Sequence, residues 1–170
     1  YYWLGHTHRH LGNGDLALYY AKRCLESAAY SGDDTLIALT HDLLGRTHYL
    51  LGEMNAATEF LKKAIPMLEE AGRSHEAGMS MSVLSICASH TGEFDLCPAM
   101  FQSAMQIAVS QEDLQLESIA QHALGKFHFF EGNWSEALHR LHKSNSIAGR
   151  MGERIVEGFN LFFIAQISFL

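Results

Sequence analysis

Gly12, Gly52, Gly92 and Gly132 stand 40 residues apart, and a chain that echoes itself at such a step is built from stacked copies of one supersecondary unit. Other columns keep the step. Leu4, Leu44, Leu84 and Leu124 are continued by Ile164, and Gly5, Gly45, Ser85 and Gly125 by Ala165. Ala17, Ala57, Cys97 and Ala137 form a column of small residues, and Cys24, Ala64, Ala104 and Ser144 form another. Gly32, Gly72 and Gly152 recur with Glu112 in the third slot. The 170 residues therefore divide into four units and a remainder, approximately 1–33, 34–73, 74–113, 114–153 and a partial 154–170, in a single array over 1–170.

Between these stops the apolar residues run at three-four spacing, as in Leu36, Leu39, Leu43, Leu44 and Leu50, then Ala57, Phe60, Leu61, Ala64, Ile65 and Leu68. No stretch shows the two-residue alternation of a strand. The Gly12 and Gly32 columns fall where the periodicity breaks, at the two ends of each hairpin, and suit left-handed helix-ending residues. Gly5, Gly45 and Gly125 lie inside the pattern, where glycine costs about 0.5–1 kcal/mol relative to alanine, and close helix–helix approach is the compensation. Helices are predicted near 1–11, 15–31, 34–51, 54–71, 74–91, 94–110, 113–131, 134–151 and 154–170. Pro98 falls in the first turn of the sixth, and Pro66 inside the fourth, where a kink is expected. The fold class is all-α, an α-solenoid of stacked antiparallel helix pairs.

The series Leu4-Gly5, Leu11-Gly12, Ala17 and its echoes Leu44-Gly45, Leu51-Gly52, Ala57 and Ala64 resemble the tetratricopeptide repeat, whose pattern sets Leu-Gly, an aromatic, Gly and Ala at these offsets. The resemblance runs over essentially the whole chain and implies a right-handed superhelix. The 40-residue period, against 34 for the ordinary form, resembles the extended subtype found in helical regions of bacterial signalling ATPases, cyclases and maltose-regulator-type activators, and in animal spindle-orientation adaptors. The third unit departs from the pattern with Ser85, Ala88 and Cys97, and the aromatic slot carries His8, His48 and His128.

Composition removes several function classes. With 12 Lys and Arg against 19 Asp and Glu, the net charge of −7 gives no basic field for nucleic acid. Cys24, Cys87 and Cys97 make neither a disulfide framework nor a zinc ribbon, which fits a reducing, cytoplasmic setting. The longest apolar tract, Phe159–Leu170, is too short and too interrupted to span a bilayer, so no membrane partner is expected. The chain opens on Tyr1-Tyr2-Trp3 and closes on Phe169-Leu170 without a polar cap, so truncation of a longer array is expected at both ends, with a sticky last helix.

The resemblance assigns particular first-helix positions to the concave wall: Tyr2, His6, Arg9 and His10; Asp42, Arg46, Tyr49 and Leu50; Ser82, Ile86, Ser89 and His90; His122, Lys126, Phe129 and Phe130; Phe162 and Gln166. Such a wall is mildly basic and aromatic within an acidic chain, and suits an extended or helical peptide carrying acidic and apolar groups. The asparagine–lysine clamp of some family members is not recognisable, because the corresponding column reads His6, Arg46, Ile86 and Lys126.

His6 and His10, four apart on one helix, are the most metal-like pair, with His139 and His142 a weaker version. Two imidazoles need further ligands, and Arg9 beside them disfavours a cation, so packing and solvent outweigh a metal site. No phosphate loop, G-x-S-x-G or H-E-x-x-H occurs. Glu69-Glu70 and Asp33-Asp34 read as solvated acids, and Cys24 and Cys97 as buried small hydrophobes. The expected function is a non-enzymatic interaction scaffold, without metal or cofactor, binding a peptide or partner domain on its concave face. The alternative is a regulatory or sensor arm of a larger signalling ATPase, cyclase or transcription activator, in which the partner is another domain of the same chain.

Overall fold

The computed structural model describes residues 1–169, and these residues are helical almost throughout. In order they form α1 (Tyr2–His10), α2 (Gly14–Ser31), α3 (Asp34–Leu50), α4 (Met54–Glu70), α5 (Ser74–Thr91), a 3-10 turn at Phe94–Leu96, α6 (Cys97–Ser110), α7 (Leu114–Phe130), α8 (Trp134–Met151) and α9 (Arg154–Ser168). Each helix packs on the next, and the first helices of successive units also touch, α3 on α5, α5 on α7 and α7 on α9. That serial stacking is an α-solenoid. No helix among the described residues is long and apolar enough to cross a membrane.

Helix bounds follow the periodicity closely, with two differences. The sixth helix is preceded by a 3-10 turn, so Pro98 stands at its first turn, where its missing N–H is not required. The last helix ends at Ser168, and Leu170 lies outside the described residues. Helix α4 continues for four residues beyond Pro66.

The joints between helices adopt one conformation. Gly12, Gly52, Gly92 and Gly132, and Gly32, Gly72 and Gly152, have φ between 67° and 82°. Glu112, in the slot where the other units have glycine, takes the same left-handed turn at φ 52°, at a cost of about 1 kcal/mol for a side chain with a Cβ. Inside the helices, a Cβ on Gly45 would stand 2.6 Å from Leu61 Cγ, and one on Gly125 would stand 2.7 Å from Leu141 Cγ. These columns are the points where first and second helices touch backbone to side chain.

Helix α5 differs from the others. Every residue from Ala77 to Ser89 is buried, and it carries no charged side chain over that run. It supplies the centre of the largest apolar cluster, with Met81, Val83, Leu84 and Cys87 against Leu61, Ile65 and Ala104. Its neighbours are the second helices α4 and α6 and the first helices α3 and α7. At the array's ends the same columns are open: Leu4 is 48% exposed, whereas Leu44 and Leu84 are buried, and Phe159, Leu161 and Phe162 of α9 face solvent. The three cysteines are free and buried, Cys24 and Cys97 as their packing columns imply.

Candidate functional site

The residues expected on a concave wall all stand on the first helices, α1, α3, α5, α7 and α9, and they divide by depth. Tyr2, His6 and Arg9 are half-buried and His10 is exposed on α1. Asp42 and Arg46 are buried on α3, while Tyr49 is half-buried and Leu50 exposed. On α5, Ser82, Ile86 and Ser89 are buried and only His90 reaches solvent. On α7, His122 and Lys126 are buried, Phe129 is half-buried and Phe130 opens outward. Phe162 and Gln166 are exposed on α9. The middle of the wall is thus packed floor, and access lies along its rims.

Two charge clusters sit in this wall. In the first, Arg46 Nη2 lies 3.1 Å from Asp42 Oδ2, and the Ser80 hydroxyl donates to Asp42 Oδ1 at 2.7 Å. Arg9, on α1, feels the same carboxylate together with the repulsion of Arg46, and burial followed by that repulsion brings its pKa down to about 10. Among the described residues only Arg46 pairs with Asp42, and the Nε atoms of Arg46 and Arg9 both lack hydrogen-bond partners. Arg9 also reaches His10, its Nη2 2.8 Å from His10 Nε2. Burial, then the charge of Arg9, pushes His10 down to about 4, and the same two causes lower His6. The rings of His6 and His10 lie tilted at 50° to each other with centroids 4.6 Å apart. Guanidinium beside imidazole disfavours a metal ion there.

In the second cluster, Lys126 Nζ donates to the Tyr49 hydroxyl at 3.3 Å, joining α7 to α3 across α5. It also lies over the rings of Tyr49, 5.6 Å from the centroid, and Phe163, 5.1 Å from the centroid. Burial lowers Lys126 to about 8, and burial raises Tyr49 to about 12. A cavity of about 540 Å³ opens at the other end of the wall, where Tyr2, Trp3 and His6 meet Arg46, Arg73 and Glu76.

A polar ladder absent from the sequence expectations ties units together. Ser80 with Asp42, Asp113 with His75, and Asn160 with His122 are each separated by 38 residues. The signal lay in the column two residues before the wall, where Thr40, Ser80 and Asn160 are polar at a buried position. His122 Nδ1–H donates to Asn160 Oδ1 at 2.8 Å, Asn160 Nδ2 donates to Ser144 Oγ at 2.9 Å, and Ser144 Oγ donates to the Ser118 carbonyl at 2.8 Å. Asp33 and Asp113, the former expected to be a solvated acid, accept the N–H of Leu36 and Leu116 as helix caps.

Burial holds His122 neutral, pushing its pKa down to about 4. The unfolded chain takes up a proton near pH 6.5 that the folded chain refuses, so stability from this group is complete above that pH and falls on acidification towards 4. Wild type should lose about 1.5 kcal/mol more than His122→Gln between pH 6.5 and 5, read from urea midpoints. Equal losses in the two proteins would remove His122 as the cause.

Residues 1–70 match the family model for the tetratricopeptide repeat. A search of curated proteins finds no match. Tetratricopeptide repeats are generally protein-interaction modules.

Proposed function

We propose, taking as premise that residues 1–70 form tetratricopeptide repeats, that the whole array is a non-enzymatic scaffold whose first-helix wall binds a peptide or partner segment bearing acidic and apolar groups. The observation that carries this reading is the charge of the wall. Arg9, Arg46 and Lys126 stand against Asp42, an excess of cations within a chain of net charge −7. Carboxylates steer towards such a surface and are held in orientation by it. Apolar area for affinity comes from the accessible rims, Phe130 and Phe162 at one end and Tyr2 at the other. The wall is preformed, its side chains fixed by packing, so little ordering cost falls on the scaffold.

Selection of peptides from a random library on the immobilised protein tests the reading directly. Enrichment of Asp and Glu interleaved with aromatic or aliphatic residues is expected, and Arg9→Glu should abolish it. Enriched Lys and Arg, or selection untouched by Arg9→Glu, would overturn the assignment.

A further inference from the structure

Lys126 is 6% exposed and has three ammonium protons to place, yet among the described residues no carboxylate lies within ion-pair distance of it. Its one hydrogen-bond acceptor is the neutral Tyr49 hydroxyl, at a long 3.3 Å. Arg46 has Asp42 at 3.1 Å and Arg73 pairs with Glu76, but the ammonium is held only by the phenol and two aromatic faces. Aromatic rings offset part of the cost of desolvating a cation; a carboxylate would offset far more. The titratable groups around it are Tyr49 from α3, Cys87 and His90 from α5, and His122 on its own helix, while α9 contributes the uncharged Phe163. None is an anion near neutral pH: burial lifts Cys87 to about 11 and Tyr49 to about 12.

The place of this contact matters as much as its chemistry. Tyr49 belongs to unit 34–73 and Lys126 to unit 114–153, so their bond spans α5, and Tyr49 packs on the cluster containing Ile86 and Ala88. A chain laid along the first helices from α3 to α7 would pass this bridge, whose more exposed member is Tyr49.

We infer that the Tyr49 hydroxyl occupies the position of a ligand carboxylate: an acidic side chain of the bound peptide pairs with Lys126, and Tyr49 swings off as the peptide enters. This rests on the acidic-peptide reading above and names the residue pair that selects the acid. Tyr49 is then a latch that keeps the ammonium partnered in the empty groove.

The probe is a fluorescein-labelled, capped decapeptide of alternating Glu and Phe, with its Gln and Phe counterpart as the neutral control, read by anisotropy at low salt. Wild type should prefer the Glu probe by about tenfold, as a charge-assisted contact implies. Tyr49→Phe keeps the ring and removes the competing hydroxyl, so it should tighten the Glu probe by about fivefold and leave the Gln probe unchanged. Lys126→Met, which keeps the apolar stem, should erase most of the preference. Unaltered Glu binding in Tyr49→Phe, or a full preference in Lys126→Met, overturns the inference. If the preference survives Lys126→Met but falls in Arg9→Gln, the acidic-peptide reading stands and the latch fails; if wild type has no preference, both fail. Displacement of the probe by millimolar inorganic phosphate at constant ionic strength would make Lys126 a small-anion site and likewise overturn it. Independently of any variant, NMR of carbon-13-lysine protein should find Lys126 titrating near 8 when free and higher when saturated with the Glu probe, because an adjacent anion favours the charged amine. An unmoved titration overturns the inference.

Discussion

Gly45→Val should lower folding stability by about 3 kcal/mol, an overpacking effect at the upper end of the usual range, and move the thermal midpoint down by about 6–12 °C. A Cβ at this position would lie 2.6 Å from Leu61 Cγ, 2.8 Å from its Cδ2 and 3.2 Å from its backbone nitrogen. Leu61 is fully buried and cannot swing into solvent, and its backbone belongs to α4, so relief requires α3 and α4 to separate. Gly158→Ala is the matched control. It lies inside α9, a Cβ there meets nothing within 4 Å, and the change should stabilise by about 0.5–1 kcal/mol through helix propensity alone. A Gly45→Val protein unfolding at the wild-type urea midpoint would show that the small-residue column does not set the helix separation.

Asp42→Ala should be of similar or greater consequence, about 3–5 kcal/mol, because it strips a buried cation of its partner. Arg46 would be left without its ion-pair partner beside the repelling charge of Arg9, and the Ser80 hydroxyl would lose its acceptor. Adding Arg46→Met to Asp42→Ala should restore at least half of the loss, since a matched apolar pair is tolerated where a lone buried charge is not. Because the pair approaches at 3.1 Å without hydrogen-bond alignment at Asp42 Oδ2, the damage arises from charge rather than from a lost directional bond. Urea unfolding of the two variants separates these contributions. Failure of Arg46→Met to recover stability would assign the defect to the Ser80 bond instead.

Much of this architecture is legible in the sequence because the repeat multiplies weak signals. A single Gly12 says little; four glycines in phase locate four turns, and Glu112 can be recognised as a joint only because its column is otherwise glycine. The helix bounds follow for the same reason. The burial of α5 is harder to see. Its buried serines, Ser80, Ser82, Ser85 and Ser89, read as polar positions, but three of them return their hydroxyls to the helix's own carbonyls one turn back, and the fourth serves Asp42. Helical periodicity describes one helix against one neighbour, whereas α5 is enclosed by helices from two other units, a consequence of stacking that no window along the chain contains. The wall suffers likewise: Arg46 and Lys126 are identifiable as cations, but the repulsion between Arg46 and Arg9 and the reach of Lys126 to Tyr49, 77 residues away, are three-dimensional facts.

The Tyr49–Lys126 bond also changes the statistical mechanics of the array. A solenoid whose units touch only their immediate neighbours melts like a one-dimensional chain, with ends fraying and boundaries free to wander. A bond from the second unit to the fourth, over the third, penalises any microstate in which that middle unit is open while its flanks remain closed. The bond thus ties residues 34 to 153 more closely than nearest-neighbour packing alone would, and α1, α2 and α9 stand outside the tie.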